Sequence, residues 1–354
     1  MLSYISAKEA AEKWNISQRR VAVLCSESRI DGAMMVGKMW IIPGNATKPE
    51  DKRAAKYETK QVQLKPFVKW AGGKSQLVEQ IKQLFQQEGP GRLTKYAEPM
   101  VGGGALLFNI LSLNIFEQVY ICDINAELIN AYNAVKYNAD ALIDKLNAMQ
   151  LNFLPMDENG RKYYYYSIRD KFNNTLLNDD TCTDKAAYFI FLNKTCFNGL
   201  YRVNKKGQFN VPMGAYKTPC ICDEDNLRAV SKALQNVTIV CGDYTQCRQF
   251  ADSNTFVYID PPYRPISQTS AFTAYNTDAF NDDEQIRLAA FFDELNGKGA
   301  KVVLSNSDPK NIDPDDNFFD NLYKNYTIER VSATRMINSK ATRRGQINEL
   351  LIHN

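Results

Sequence analysis

The chain has 354 residues, 44% of them hydrophobic and 23% charged, the balance of a globular protein with apolar material for a sizeable core. No apolar run approaches the ~20 residues of a membrane helix, and a lone histidine, His353, excludes a Ser-His-Asp or Cys-His mechanism and a multi-histidine metal site. The net charge of +3 is unevenly spread: residues 1–65 carry 12 Lys/Arg against 7 Asp/Glu, while residues 196–217 and 330–348 are basic and contain no acid, a pattern suited to a phosphate backbone.

Ser6 is placed to cap a helix through Trp14, with Ala7, Ala10, Ala11 and Trp14 on one face. Asn15-Ile16 makes a turn, and Ser17 caps a second helix bearing Arg19 and Arg20. Two short apolar strands follow around Gly37-Lys38 and end at Pro43. Helix, tight turn, helix and hairpin describe a winged helix-turn-helix, its second helix entering the major groove and Lys38 lying near phosphate. The run Ser6–Pro43 resembles small excisionase-like and MerR-like DNA-binding modules. The alternative is a helical pair that packs on the main domain or on another copy. Residues 1–45 are thus expected to be a DNA-binding module and the polar stretch 46–65, with Pro49 and no apolar period, a linker.

From Pro66 to residue 354, apolar strands alternate with amphipathic helices, the pattern of an α/β fold with a largely parallel, doubly wound sheet. Ser75 is expected to cap a helix presenting Leu77, Ile81, Leu84 and Phe85 on one face. A glycine-rich turn, Ala97 to Ala105, follows a weak strand, and Gly102 within it lets the backbone approach a ligand closely. Its spacing is not that of a nicotinamide-binding loop. Glu98 would repel a pyrophosphate but suits a cofactor with a cationic or amino-bearing end. Val119–Cys122 reads as a strand ending at Asp123, about 20 residues downstream and placed to accept from ribose hydroxyls. Val237–Cys241 ends at Gly242-Asp243, Phe256–Ile259 at Asp260-Pro261-Pro262-Tyr263, and Lys301–Leu304 at Ser305-Asn306. Ligands of such sheets sit outside the carboxyl ends of the strands, where Asp123, Asp243, Asp260 and Ser305 all fall. S-adenosylmethionine fits these features better than a nicotinamide nucleotide.

An acid, two stiff prolines and an aromatic ring at a strand end form a compact tool for gripping an exocyclic amino group and stacking on its ring. Several segments together resemble the Dam-type DNA adenine-N6 methyltransferases: Phe67-Val68-Lys69-Trp70-Ala71-Gly72-Gly73-Lys74, Glu98-Pro99-Met100-Val101-Gly102-Gly103-Gly104, Asp123-Ile124-Asn125, Asn198-Gly199-Leu200-Tyr201-Arg202, Gly207 to Pro212 and Asp260–Tyr263. Ser307 stands where that family often has histidine. The resemblance spans Pro66 to Ile352 and implies a Rossmann-like S-adenosylmethionine-dependent methyltransferase fold with a target-recognition insertion at about 150–235. It implies cofactor contacts from Trp70, Lys74, Asp123 and Asp260, with Asp243 reaching the cofactor's adenine. It places Lys69, Asn198, Leu200, Arg202 and Pro212 on double-stranded DNA and suggests GATC as the site.

The expected reaction is methyl transfer to adenine N6. Asp260 and the Pro261 carbonyl would hold the amino group, with Pro262 stiffening the turn and Tyr263 stacking on the base. That chemistry is orientation and electrostatics rather than proton relay, and it requires a flipped adenine. No metal is expected. Rival readings are an inert methyltransferase domain on a DNA-binding regulator, or another target: cytosine N4, RNA adenine or a protein glutamine. Eight scattered cysteines without a C-x-x-C pair, and no basic-then-apolar leader, point to the cytoplasm, in association with the nucleoid. A cognate restriction endonuclease is a further candidate partner.

Overall fold

Thr255–Ile259 is buried at every position, and its side chains divide between two cores. Phe256 and Tyr258 face one apolar cluster, and Val257 and Ile259 face the other. This two-residue alternation, apolar on both faces, is why a central parallel strand reads as an unbroken hydrophobic run. The computed structural model describes residues 4–14, 16–37, 39–49, 64–70, 77–89, 91–177, 182–264, 280–334 and 346–354. The chain divides into two compact units, Met1–Gln61 and Val62–Asn354.

The smaller unit contains β1 (Tyr4–Ser6), α1 (Ala7–Trp14), α2 (Gln18–Ser26), β2 (Met34–Val36) and β3 (Met39–Pro43). Ser6 and Glu9 form a reciprocal cap at the start of α1: Ser6 N–H donates to Glu9 Oε2 at 2.7 Å and Glu9 N–H to Ser6 Oγ at 3.2 Å, the capping box. Ser17 caps α2 through Arg20 N–H. Ala7, Ala10, Ala11, Trp14, Val21, Leu24 and Ile42 form its core. The sheet order is β1-β3-β2, antiparallel throughout. β1 is an addition to the expected elements, since three residues are too few to show a period.

The larger unit is built on a seven-stranded sheet of order β6-β5-β4-β7-β8-β10-β9. In chain order these strands are β4 (Lys95–Glu98), β5 (Gln118–Asp123), β6 (Val237–Cys241), β7 (Thr255–Ile259), β8 (Lys301–Ser307), β9 (Thr327–Thr334) and β10 (Gln346–His353). The first five in sheet order are parallel, and β10 runs antiparallel to β8 and β9. Around them lie α3 (Val78–Gln86), α4 (Ala105–Leu113), α5 (Ala126–Tyr137), α6 (Ala139–Phe153), α7 (Glu158–Asn174), α8 (Thr183–Thr195), α9 (Glu224–Leu234), α10 (Asp282–Gly297) and α11 (Phe318–Leu322). This is a mixed α/β fold with a mostly parallel sheet.

Two expectations need adjustment. The helix over Val78–Gln86 has Leu77 at its N-cap with no side-chain cap, and Ser75 lies outside the described residues. β8 continues through Ser305 and Asn306 to Ser307 rather than ending before them, because β10 pairs Leu351, Leu350 and Glu349 with those three positions. Among the described residues, no helix is long and apolar enough to cross a membrane.

Candidate active site and nucleic-acid surface

Parallel strands deliver their last residues to one edge of the sheet, so neighbouring strand ends become one site. In sheet order the edge presents Asp243 after β6, Asp123 at the end of β5, Glu98 at the end of β4, Asp260 after β7 and Ser305 within β8.

The glycine-rich turn joins three of the expected residues. Gly102 N–H donates to Asp123 Oδ2 at 3.0 Å, and Asn125 N–H donates to Asp123 Oδ1 at 2.9 Å. Burial pushes the Asp123 carboxyl up, against the pull of the N–H groups of Asn125, Gly102 and Ile124. Gly102 has φ +49°, and a Cβ there would stand 2.8 Å from Trp70 Cδ1. Glycine is therefore required both by conformation and by the indole against it. The Trp70 ring stacks in turn on Tyr201, with centroids 5.8 Å apart. Lys74 lies outside the described residues.

Glu98 is 3% exposed and accepts the Tyr96 hydroxyl at 2.7 Å. Burial raises its pKa to about 8. The Tyr96 hydrogen bond pulls the other way, and the charges of Asp260 and Asp123 add to the rise. A carboxyl held this way is primed to ionise when a cation or amino group arrives beside it.

Asp260 is half-buried. Ser305 Oγ donates to its Oδ1 at 3.0 Å. With that proton committed, Ser305 accepts the Tyr258 hydroxyl at 2.9 Å. Farther along the turn, Gln285 Nε2 donates to the Pro262 carbonyl at 3.3 Å, and Asn306 Nδ2 donates to Gln285 Oε1 at 3.2 Å. Gln285, Ser305 and Asn306 are fully buried. Asp260-Pro261-Pro262-Tyr263 is thus mounted on a polar network inside the core, which holds only while every member is satisfied.

Asp243 is differently engaged. Its Oδ1 accepts from Thr245 N–H (3.0 Å), Thr245 Oγ1 (2.6 Å) and Arg287 (2.8 Å). Burial pushes this carboxyl up, but Arg287 and Thr245 together outweigh it and hold the pKa below the usual range.

The expected DNA contacts gather on the loop between α8 and α9. Bridges Cys196↔Met213 and Val203↔Phe209 close it as a hairpin. Asn198, Arg202 and Pro212 are exposed there, and Leu200 is half-buried. Arg202 Nε donates to Asn210 Oδ1 at 2.8 Å, which ties its guanidinium to the facing arm of the hairpin. Lys69 joins this surface: its stem packs on Gly199, and Nζ lies 3.8 Å from the Tyr216 ring centroid. Arg19 is exposed and Arg20 half-buried on α2 of the smaller unit, and Lys38 lies outside the described residues.

Three residues of this region have no role assigned by the motifs, although Ile124 and Tyr201 lie inside them. Phe197 is 52% exposed beside Asn198, and Ile124 is 62% exposed immediately beyond Asp123. Both are large apolar residues left in solvent at a site, but only the structure reveals their exposure. Tyr201 connects the hairpin to Trp70 by stacking. Among the described residues no cluster of three or more His, Cys, Asp or Glu side chains could hold a metal ion.

Residues 70–337 match the model of the D12 class of N6 adenine-specific DNA methyltransferases. A type II methyltransferase of Methanocaldococcus jannaschii, M.MjaIII, is 50% identical over 83% of this chain and all of its own length. A second, M1.LlaDCHI of Lactococcus lactis subsp. cremoris, is 37% identical over 83% of this chain and 96% of its own. The DNA adenine methylase of Haemophilus influenzae is 34% identical over 81% and 92% respectively. With the glycine turn, the strand-end acids and the Asp-Pro-Pro-Tyr segment assembled on one sheet edge, the chain belongs to the D12 class of N6 adenine-specific DNA methyltransferases.

Proposed function

We propose that the methyl donor is S-adenosylmethionine and that the acceptor is an adenine flipped out of duplex DNA, at GATC. The observation that carries this reading is the mounting of Asp260 and Pro262 on buried Ser305, Gln285 and Asn306, one strand from Glu98. When bound, S-adenosylmethionine supplies a methyl group already activated on a sulfonium centre. The donor set suits it: Glu98 for the amino acid's ammonium, Asp123 for ribose hydroxyls, Trp70 and the Gly102 backbone along its length, and exposed Ile124 as an apolar bed for its adenine. Asp243 contributes at the adenine end, with Arg287 fixing its orientation.

On the acceptor side, an amino group conjugated with a purine ring is a poor nucleophile. The Asp260 carboxylate and the Pro261 carbonyl accept its two N–H bonds and turn the lone pair out of the ring plane. Ser305 fixes which Asp260 oxygen is available, and the prolines hold the carbonyl rigid. Tyr263 stacks on the flipped base. Preorganised acceptors of this kind lower the barrier without reorganising during the reaction.

We further propose that the hairpin reads the duplex through Asn198, Leu200, Arg202 and Pro212, with Lys69 at phosphate. Arg202 takes guanine O6 and N7. Residues 1–45 act as a winged helix-turn-helix through Arg19, Arg20 and Lys38, joined by the 46–65 linker to the 66–354 catalytic domain. The type II names of two relatives support a restriction-modification setting with a cognate endonuclease.

Transfer of tritiated methyl from S-adenosylmethionine to unmethylated duplexes with and without GATC tests this reading, with sequencing to locate the modified base. Asp260→Ala is expected to abolish transfer while DNA binding persists. Retained turnover would remove Asp260 from its role.

A further inference from the structure

Arg264, the residue immediately after Asp260–Tyr263, is held by two carboxylates and an aromatic ring. Its Nε and one terminal nitrogen form a fork on Asp282, at 2.7 and 2.9 Å from Oδ1 and Oδ2. The other terminal nitrogen meets Asp316 Oδ2 at 2.6 Å. The guanidinium carbon lies 4.3 Å from the centroid of the Phe318 ring. Asp316 is itself fixed, since its other oxygen accepts from Phe318 N–H at 3.0 Å.

These contacts acquire meaning from Gln285. Asp282 and Gln285 are three residues apart in the first turns of α10 (Asp282–Gly297) and share a face. Asp282 holds the side chain of Arg264, and Gln285 holds the carbonyl of Pro262. One helix end therefore grips the chain on both sides of Tyr263. Asp260 is fixed separately by Ser305 on β8. Among the described residues, Ser305, Gln285 and the Arg264 clamp each attach the reactive turn.

We propose that Arg264 is a positioning residue for methyl transfer, its clamp on Asp282 and Asp316 holding Tyr263 and the Pro261 carbonyl where a flipped adenine must meet them. The inference rests on the role proposed above for Asp260–Tyr263. Its side chain is 22% exposed and the two partner carboxylates are 49% and 25% exposed, so the ion pairs add little to global stability. Their planar fork fixes direction, which lysine cannot reproduce.

The test compares wild type with Arg264→Ala, Arg264→Lys, Asp316→Asn and Asp260→Ala in the full chain. Measurements are melting temperature, S-adenosylmethionine and duplex affinity, the single-turnover methylation rate, and the emission of 2-aminopurine at the target position. A shift of about 1 Å in the mount is expected to cost Arg264→Ala on the order of a hundredfold in the single-turnover rate, with both affinities held within about threefold. The 2-aminopurine signal should brighten as stacking on Tyr263 is lost, and Arg264→Lys should recover part of the rate. A rate for Arg264→Ala within about threefold of wild type, or a loss matched by equal losses of affinity, overturns the proposal. If Arg264→Ala does not fold, Asp316→Asn, which releases one arm of the clamp, decides: a slower rate with affinities kept supports the clamp, and an unchanged rate refutes it. If Asp260→Ala also retains turnover, the reading of the whole segment has failed. If Asp260→Ala is inactive and the clamp variants are normal, only this inference has.

Discussion

Glu98 places a carboxyl at 3% exposure between two other acids, and the consequence is a pH dependence with a definite sign. Its folded pKa of about 8 lies above the ordinary value of 4.5. Between those values the folded protein holds a proton that the unfolded chain has released. The stabilising contribution is therefore complete below 4.5 and is lost as pH rises through about 8. Glu98→Gln should flatten the decline of the ligand-free melting temperature across that window. A decline as steep in the variant as in the parent would remove Glu98 as its source. If Glu98 takes the ammonium of S-adenosylmethionine as proposed, the same group should ionise on binding. Cofactor affinity then rises with pH toward 8 and binding releases a proton, visible by calorimetry in buffers of different ionisation enthalpy. Loss of a charged hydrogen bond of this kind should weaken cofactor binding in Glu98→Gln by about tenfold or more.

At the level of elements, the hairpin between α8 and α9 is the proposed reader of the duplex. Arg202 is exposed and braced by Asn210. Arg202→Ala should cost about 1–3 kcal/mol of discrimination at one base pair, measured as methylation rates on duplexes varied one position at a time. A uniform loss on every duplex would instead mark a phosphate contact. Much of this architecture was legible in the chain. Val237–Cys241 and Phe256–Ile259 are short apolar runs bounded by turn residues, and strands buried on both faces must look that way. In sequence, the strand Lys301–Leu304 ends at Ser305-Asn306, where the apolar run stops, yet the strand continues to Ser307. It does so because antiparallel β10 pairs with it there, a partner more than 40 residues away in sequence. Trp70 on Tyr201 and Arg264 on Asp316 were equally hidden, since each contact joins residues that only the folded sheet brings together.

At the scale of the whole molecule, each unit has its own core, so removing residues 1–61 should leave the melting of 62–354 largely unchanged. If the smaller unit binds DNA, the truncation weakens duplex affinity and makes it less sensitive to salt, read from binding isotherms across a salt series. An unchanged salt slope would assign the unit to protein contacts, and its hairpin already shows apolar character in exposed Met34, Met35, Val36 and Met39. The order β6-β5-β4-β7-β8 has one more consequence. Adjacent strands are spaced by about 4.8 Å, so the row from Asp243 to Ser305 spans roughly 19 Å over four intervals. If donor and acceptor bind as proposed, the sheet edge is a ruler, graduated in strands, against which they are laid end to end. A donor one graduation too long or too short would carry its methyl about 4.8 Å away from the waiting nitrogen. On that reading, selection by length is built into the backbone, before any side chain has made a contact.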